Sequence, residues 1–331
     1  MNKTILLNKR PQGKPELSDF KTITETIPAA GAGELVLKTR YVSVDPYLRG
    51  RMNDARSYVP PFQLNEPIQS GIIAEVVESK HADYQTGDFV SGMLAWKEYQ
   101  NFFCKGLQRV DPSVASLSSY LGVLGMTGLT AYLGLTEIGK PVEGETLIVS
   151  GAGGAVGTVV GQVGKLLGCR VVGITGSDEK VHLLRDRFSF DEAINYKKSL
   201  HLKQAIRAAC PDGVDCYFDN VGGEISDAVM TQLNTFARIA VCGAISLYNE
   251  TEVPTGPRLQ PIILTRRATM QGFIISDFSK QFASASKQLA TWLGEGKLTA
   301  TETIVEGFDQ IPQAFLDLFE GKNTGKMIVK V

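Results

Sequence analysis

The chain has 331 residues, of which 43% are hydrophobic and 21% charged, and 34 Lys and Arg nearly balance 35 Asp and Glu for a net charge of −1. That length exceeds what one hydrophobic core usually serves, so two domains are expected; the neutral balance offers no field for nucleic acid or an anionic membrane, which leaves small molecules as the expected partners. The five cysteines are scattered and never paired as C-x-x-C, which argues against a disulfide framework or a Cys-rich zinc site and suits a reducing compartment. The N-terminal apolar run is too short for a signal peptide and no window approaches the roughly 18 apolar residues of a membrane span, so a cytoplasmic protein is expected.

In chain order, the first hundred residues read as β-rich. The stretches 34–44 (ELVLKTRYVSV), 69–79 (QSGIIAEVVES) and 87–104 (GDFVSGMLAWKEYQNFFC) alternate β-branched and aromatic residues between Pro and Gly clusters. From about Leu121 short apolar runs alternate with segments of helical period, the rhythm of a doubly wound parallel sheet. Strands are expected at 146–150 (TLIVS), 169–175 (CRVVGIT), 192–195 (EAIN), 214–220 (VDCYFDN), 237–243 (ARIAVCG) and 269–275 (TMQGFII). Helices are expected at 154–168, where Val156, Val159, Val160, Val163, Leu166 and Leu167 recur at helical spacing, from Ser177 onward, and at 287–296. The tail from 302 carries strand, helix, strand and is expected to rejoin the N-terminal sheet.

Gly151, Gly154 and Gly157 form G-x-x-G-x-x-G between the first strand of this region and its helix. A tight turn, backbone N–H groups able to approach a pyrophosphate, close helix packing and the positive end of the helix dipole together indicate dinucleotide binding. Gly161 and Gly164, on later turns, read as close packing, and the missing G-K-[ST] excludes a Walker loop.

An NAD site would carry an acid at the end of the second strand to hold the ribose hydroxyls. Here that strand ends in Thr175 and Gly176, with Ser177 as a helix cap and Lys180 placed to meet a 2′-phosphate, so NADP(H) is expected. The histidines at 81, 182 and 201 stand apart from any cysteine pair, and neither H-E-x-x-H nor G-x-S-x-G occurs. No metal ligand set is expected, and developing negative charge must be met by hydroxyls, N–H groups or the cofactor ribose.

The residues that remain carry a family resemblance. The chain resembles the zinc-independent medium-chain dehydrogenase/reductases, in the prostaglandin reductase, leukotriene B4 12-hydroxydehydrogenase and 2-alkenal or curcumin-type double-bond reductase group, through YVSVDPYLRGRMND (41–54), GVLGMTGLTAYLGL (122–135), the glycine loop, GSDEKV (176–181), NYKK (195–198), FDNVGGE (218–224), VCGAISLYN (241–249), QGFII (271–275) and GKNTGKMIVKV (321–331). It implies an α/β architecture: a GroES-like β-rich catalytic domain over 1–122 and 300–331, and a Rossmann doubly wound parallel-sheet domain over 123–299. It also implies NADPH contacts at Met126, Thr130, Gly154, Ala155, Val156, Lys180, Tyr196, Asn220, Cys242 with its neighbour Gly243, Tyr248, Phe273 and Asn323, beside Gly151, Gly157 and Ser177 read above. Where zinc-dependent relatives carry a ligand cysteine, this chain reads YVSVDPYLR.

The implied reaction is reduction of the double bond of an α,β-unsaturated ketone or aldehyde. NADPH gives hydride to the β-carbon, and the enolate oxygen is held by a tyrosine hydroxyl or the ribose 2′-hydroxyl. Candidate hydroxyls are Tyr47, which also reads as a core aromatic; Tyr58, in a Pro-flanked loop; and Tyr248, at the carboxyl end of a parallel strand. The tyrosine that other members carry before the QGF strand is replaced by Thr265. The segment 248–261 reads as a lid or binding loop, and the resemblance implies a homodimer joined by Rossmann-sheet edges, for which QGFII reads as the edge strand. The alternatives are an NADPH:quinone oxidoreductase and a non-catalytic NADPH-binding protein.

Overall fold

Period-2 alternation in the N-terminal residues produces antiparallel pairing. A computed structural model describes all residues, Met1–Val331. The strands β1 (Asn2–Leu7) and β2 (Phe20–Glu25) pair with each other; then follow β3 (Glu34–Ser43), the short helix α1 (Leu48–Arg51), β4 (Gln69–Ser79), β5 (Phe89–Ala95), β6 (Tyr99–Phe103) and β7 (Gln108–Arg109). The stretch 87–104, extended throughout by its composition, reverses at Trp96: β5 pairs with β4 whereas β6 pairs with β3. Trp96 is fully buried there, its indole N–H donating to Ser70 Oγ at 2.8 Å.

The next elements alternate strand and helix. They are α2 (Met126–Leu133), β8 (Thr146–Ser150), α3 (Ala155–Leu166), β9 (Arg170–Thr175), α4 (Asp178–His182), β10 (Glu192–Asn195), α5 (Leu202–Ala209), β11 (Val214–Asp219), α6 (Gly223–Met230), β12 (Leu233–Val241), α7 (Gln260–Arg266), β13 (Thr269–Gly272) and α8 (Phe282–Gly294). All six strands β8 to β13 are parallel, in the order β10-β9-β8-β11-β12-β13. Successive residues enter opposite cores: Leu147 and Val149 pack with Val159, Val160 and Val163 of α3, while Ile148 packs with Ile174, Ile206 and Val229. That two-sided burial is why these strands read as unbroken apolar runs. Gly161 and Gly164 of α3 face the Phe190 ring and Leu147, the close packing expected of them. Leu166, expected on the apolar face, is exposed at the helix end.

Three further departures have local causes. β13 stops at Gly272 rather than Ile275, because Phe273 turns into the core against Phe218 and Phe278 at centroid distances of 6.2 and 6.0 Å. β12 begins at Leu233, four residues early, passing through Phe236 at φ 66°. The 248–261 segment runs into α7, whose proline stands in the first turn.

The tail forms β14 (Glu302–Glu306), α9 (Ile311–Phe319) and β15 (Lys326–Lys330), and completes a seven-stranded sheet in which β15 lies beside β3. The chain divides into two compact units, one of Met1–Leu121, Thr303–Asn323 and Met327–Val331, the other of Gly122–Glu302 and Thr324–Lys326. No helix is long and apolar enough to cross a membrane.

Candidate active site

In the parallel sheet β8 and β11 are neighbours although the chain leaves them in opposite directions, which makes their carboxyl ends the switch point at which open α/β sheets bind ligands. The two ends are tied together. Ser150 Oγ donates to Asp219 Oδ1 at 2.8 Å, the same oxygen accepts the N–H groups of Val221 and Gly222 at 3.0 Å, and Asn220 Nδ2 donates to the Ser150 carbonyl at 2.8 Å. Asn220 thus holds the start of the glycine loop, with its side-chain oxygen still an acceptor.

Gly151 opens that loop at φ 60°, and its carbonyl accepts Gly154 N–H at 2.9 Å. A Cβ on Gly157 would lie 2.6 Å from Ala152 Cα and overlap the Gly151 carbonyl, so only glycine lets α3 sit this close to its own loop. Gly154 caps α3 and has no side chain to occupy the N–H groups of Ala155, Val156 and Gly157. The result is a cradle of backbone donors at a helix N-terminus, suited to a pyrophosphate.

At the end of β9, Ser177 Oγ accepts Lys180 N–H at 3.3 Å and caps α4. The Lys180 stem lies over Gly153, where a Cβ would be 2.7 Å from its Cδ. Tyr196 and Lys197, just past β10, lie against Gly176. Burial lowers the Lys180 pKa, and the positive charge of Lys197 lowers it further. Lys197 was not among the residues singled out from the sequence.

Beyond β12, the Cys242 and Gly243 N–H groups donate to the Asp219 carbonyl at 2.8 and 3.1 Å. Burial pushes the Cys242 thiol up to about 12, so it is an inert packing group. The Tyr248 hydroxyl accepts Ala244 N–H at 3.2 Å, which leaves its proton to donate, and burial raises its pKa. Phe273 is buried, so its ring serves the core and its backbone is what a ligand could meet. Met126 and Thr130 lie one turn apart on α2, with Thr130 Oγ1 donating to the Met126 carbonyl at 2.7 Å. The tail residue Gly325 donates to the Gly153 carbonyl at 2.8 Å; Asn323 precedes this segment in the first unit.

Tyr47 and Tyr58 also belong to the first unit. Burial, reinforced by Asp45, pushes the Tyr47 phenol pKa up, and Arg51 pulls it back. Arg51 fixes the intervening loop: its Nε donates to the Pro60 carbonyl at 3.1 Å, its carbonyl accepts Phe62 N–H at 2.7 Å, and its guanidinium lies 4.0 Å from the Phe62 ring centroid. Tyr58 is 61% exposed on that loop. Where a zinc ligand would stand, Ser43 Oγ donates to the buried Asp45 carboxylate, and no group of three His, Cys, Asp or Glu side chains is placed to hold a metal ion. Thr265 Oγ1 donates to the Pro261 carbonyl at 2.8 Å on the exposed surface of α7.

Comparison with known proteins decides the family. Residues 3–110 match the family described as the N-terminal domain of oxidoreductase, and residues 155–291 match that described as zinc-binding dehydrogenase. YfmJ of Bacillus subtilis is 55% identical over 329 residues, covering 99% of this chain and 97% of that protein. The NADPH-dependent curcumin reductase of Escherichia coli is 42% identical over 335 residues, covering 100% and 97%. The crystal structure of CurA from Vibrio vulnificus in complex with NADPH superposes with a TM-score of 0.94 at 43% identity, covering 99% of each chain. The chain belongs to the zinc-independent medium-chain dehydrogenase/reductases, in the group of curcumin, prostaglandin and 2-alkenal reductases. The β-rich sheet and the six-stranded parallel sheet are this family's GroES-like and Rossmann folds. Lys197, Arg51 and Gly325, which shape the segments described above, were not singled out from the sequence. The signal for Lys197 was the second half of NYKK; for Arg51 it was the second arginine of YLRGR.

Proposed function

We propose that the protein is an NADPH-dependent reductase of the carbon-carbon double bond of α,β-unsaturated ketones and aldehydes. The observation that carries this is the glycine cradle at the β8/β11 switch point beside a β9 end that has cations and no acid. The cradle fits a pyrophosphate because its glycines leave backbone donors exposed where any Cβ would intrude; the lysines fit a 2′-phosphate. The names of the relatives, curcumin reductase, prostaglandin reductase 1 and 2-alkenal reductase, supply the substrate class.

When bound, the reduced nicotinamide supplies a hydride to the β-carbon of the enone. The chain's own residues do the rest by placement. The glycine loop, Asn220, Lys180 and Tyr196 orient the dinucleotide, with Met126, Thr130, Cys242, Gly243, Phe273 and Asn323 completing the cofactor-binding set. Tyr248 donates its proton in a hydrogen bond to the enolate oxygen; Tyr47, Tyr58 and the ribose 2′-hydroxyl are the further donors. Solvent protonates the α-carbon, so no strong acid is required, and orientation with preorganised donors lowers the barrier. The catalytic domain is proposed at 1–122 and 300–331 and the cofactor domain at 123–299, although residues 122, 300–302 and 324–326 pack with the second compact unit.

Purified protein with NADPH and, in turn, 4-hydroxynonenal, an alkenone and curcumin should yield the saturated carbonyl from at least one, read by mass spectrometry. Tight NADPH binding without enone turnover would overturn the proposal, and faster quinone than enone reduction would move the substrate class to quinones.

We further propose a homodimer through β13, the outermost strand of the parallel sheet, whose four residues are all exposed beside an α7 that carries Leu264 at 76% exposure. Light scattering after size exclusion should give twice the chain mass; a monomer contradicts it.

A further inference from the structure

We propose that Lys197 is a second phosphate-binding cation, which acts with Lys180 on the 2′-phosphomonoester of the cofactor and thereby sets the preference for NADPH over NADH. The inference rests on the reading of the unit as a dinucleotide-binding domain.

The register of the sheet places Lys197. β10 runs parallel to β9 with Asn195 opposite Thr175, and Tyr196 N–H donates to the Thr175 carbonyl at 3.0 Å. The residues after Asn195 therefore pass over the carboxyl end of β9, where a Rossmann fold holds the adenosine ribose. Lys197 N–H donates to Asn195 Oδ1 at 3.1 Å, which fixes its backbone. A Cβ on Gly176 would lie 3.3 Å from Lys197 Cε and 3.4 Å from the Tyr196 hydroxyl, so both side chains run along the bare backbone of that glycine.

The surrounding charges are arranged for an anion. Asp178, the acid nearest the turn, is taken up by an ion pair with Lys198 and by Asn195 Nδ2 at 2.6 Å. Lys197 makes no ion pair with any carboxylate, in contrast to Lys198 beside it. It lies close enough to Lys180 for its charge to oppose protonation there, with Glu179 acting in the other direction. Two cations held within each other's field, with the neighbouring Asp178 already neutralised, are stabilised by a dianion between them. A phosphomonoester carries about −1.5 to −2 charges at neutral pH, and the two hydroxyls of NADH carry none.

The test compares wild type, Lys197→Ala and Lys197→Arg for KM of NADPH and NADH, and for competitive inhibition by 2′,5′-ADP and 5′-AMP. Lys197→Ala should raise the NADPH KM and the 2′,5′-ADP inhibition constant about five- to tenfold, as for loss of one charge-assisted contact at an exposed site, and should leave kcat, NADH and 5′-AMP within about twofold. Lys197→Arg should retain the wild-type ratio. Equal weakening of NADPH and NADH, or no change in either, overturns the role of Lys197. Failure of wild-type protein to bind NADPH or 2′,5′-ADP would instead overturn the dinucleotide reading.

Discussion

The backbone N–H of Gly325 donates to the Gly153 carbonyl at 2.8 Å, so the tail residues 324–326 run beside the glycine loop. The next residue continues the attachment, with Lys326 N–H donating to the Thr301 carbonyl at 2.8 Å. Gly325 has φ 65°, and a Cβ there would overlap the Thr301 carbonyl and lie 2.8 Å from Thr301 Cβ. Gly325→Ala should therefore destabilise the protein by about 2 to 4 kcal/mol, measured by denaturant unfolding. The folded fraction should also hold NADPH more weakly, because Gly153 loses a fixed neighbour.

Gly157 and Gly161 separate cofactor binding from packing on a single helix. Gly157→Ala pushes α3 away from the Gly151–Ala152 backbone and should raise the NADPH Kd about tenfold or more, read by fluorescence titration. Gly161→Ala, one turn further along the same helix, collides with the Phe190 ring. It should lower Tm and leave the Kd of the folded protein within about twofold.

Tyr248→Phe should lower kcat about ten- to hundredfold with NADPH KM little changed, and should exceed the effects of Tyr58→Phe and Tyr47→Phe. The Tyr248 hydroxyl is held against Ala244 N–H, while Tyr58 sits 61% exposed on its loop. Burial raises the Tyr248 pKa above its ordinary 10.0, so the phenol stays protonated at neutral pH. The rate should therefore show no loss from this group as pH rises to about 10, checked by a pH profile of kcat.

Arg238, within β12, and Glu145, just before β8, form a paired contact, with Nη1 to Oε1 at 3.0 Å, and Val142 N–H donating to Oε2 at 2.8 Å. Burial raises the Glu145 pKa, but Arg238 and the Val142 N–H outweigh it and hold the carboxyl below its ordinary 4.5. A depressed folded-state pKa means that this contact stabilises the fold above the ordinary value and is lost as pH falls through the lowered one. Arg238→Ala should cost about 1 to 3 kcal/mol at pH 7 and flatten the acid limb of stability, measured by urea unfolding between about pH 3 and 7.

The parts of the fold that were legible are those whose pattern is local. The strand 69–79 and the strand 192–195 stand in the structure with the bounds read from alternation and turn residues. The helix α7 was hidden because it spans only seven residues after a proline-containing run and half-buries just Ile262 and Ile263 against the core, too short an apolar face for its period to show. The end of β13 depended on where the Phe273 ring finds its core, against Phe218 and beside Gly134. The glycine loop announced itself because backbone chemistry constrains residue type. Lys197 and Gly325 did not, since one acquires its meaning from the register of β10 on β9 and the other from a carbonyl 24 residues away at Thr301.

Isotope placement reads hydride transfer to the β-carbon of an enone directly. The protein is given NADPH deuterated at both C4 positions of the nicotinamide and 4-phenylbut-3-en-2-one, and the product is analysed by NMR. Hydride delivery to the β-carbon yields 4-phenylbutan-2-one with one deuterium on the carbon that bears the phenyl group. An allylic alcohol with deuterium on the carbinol carbon, or unchanged enone with NADPH demonstrably bound, would contradict it.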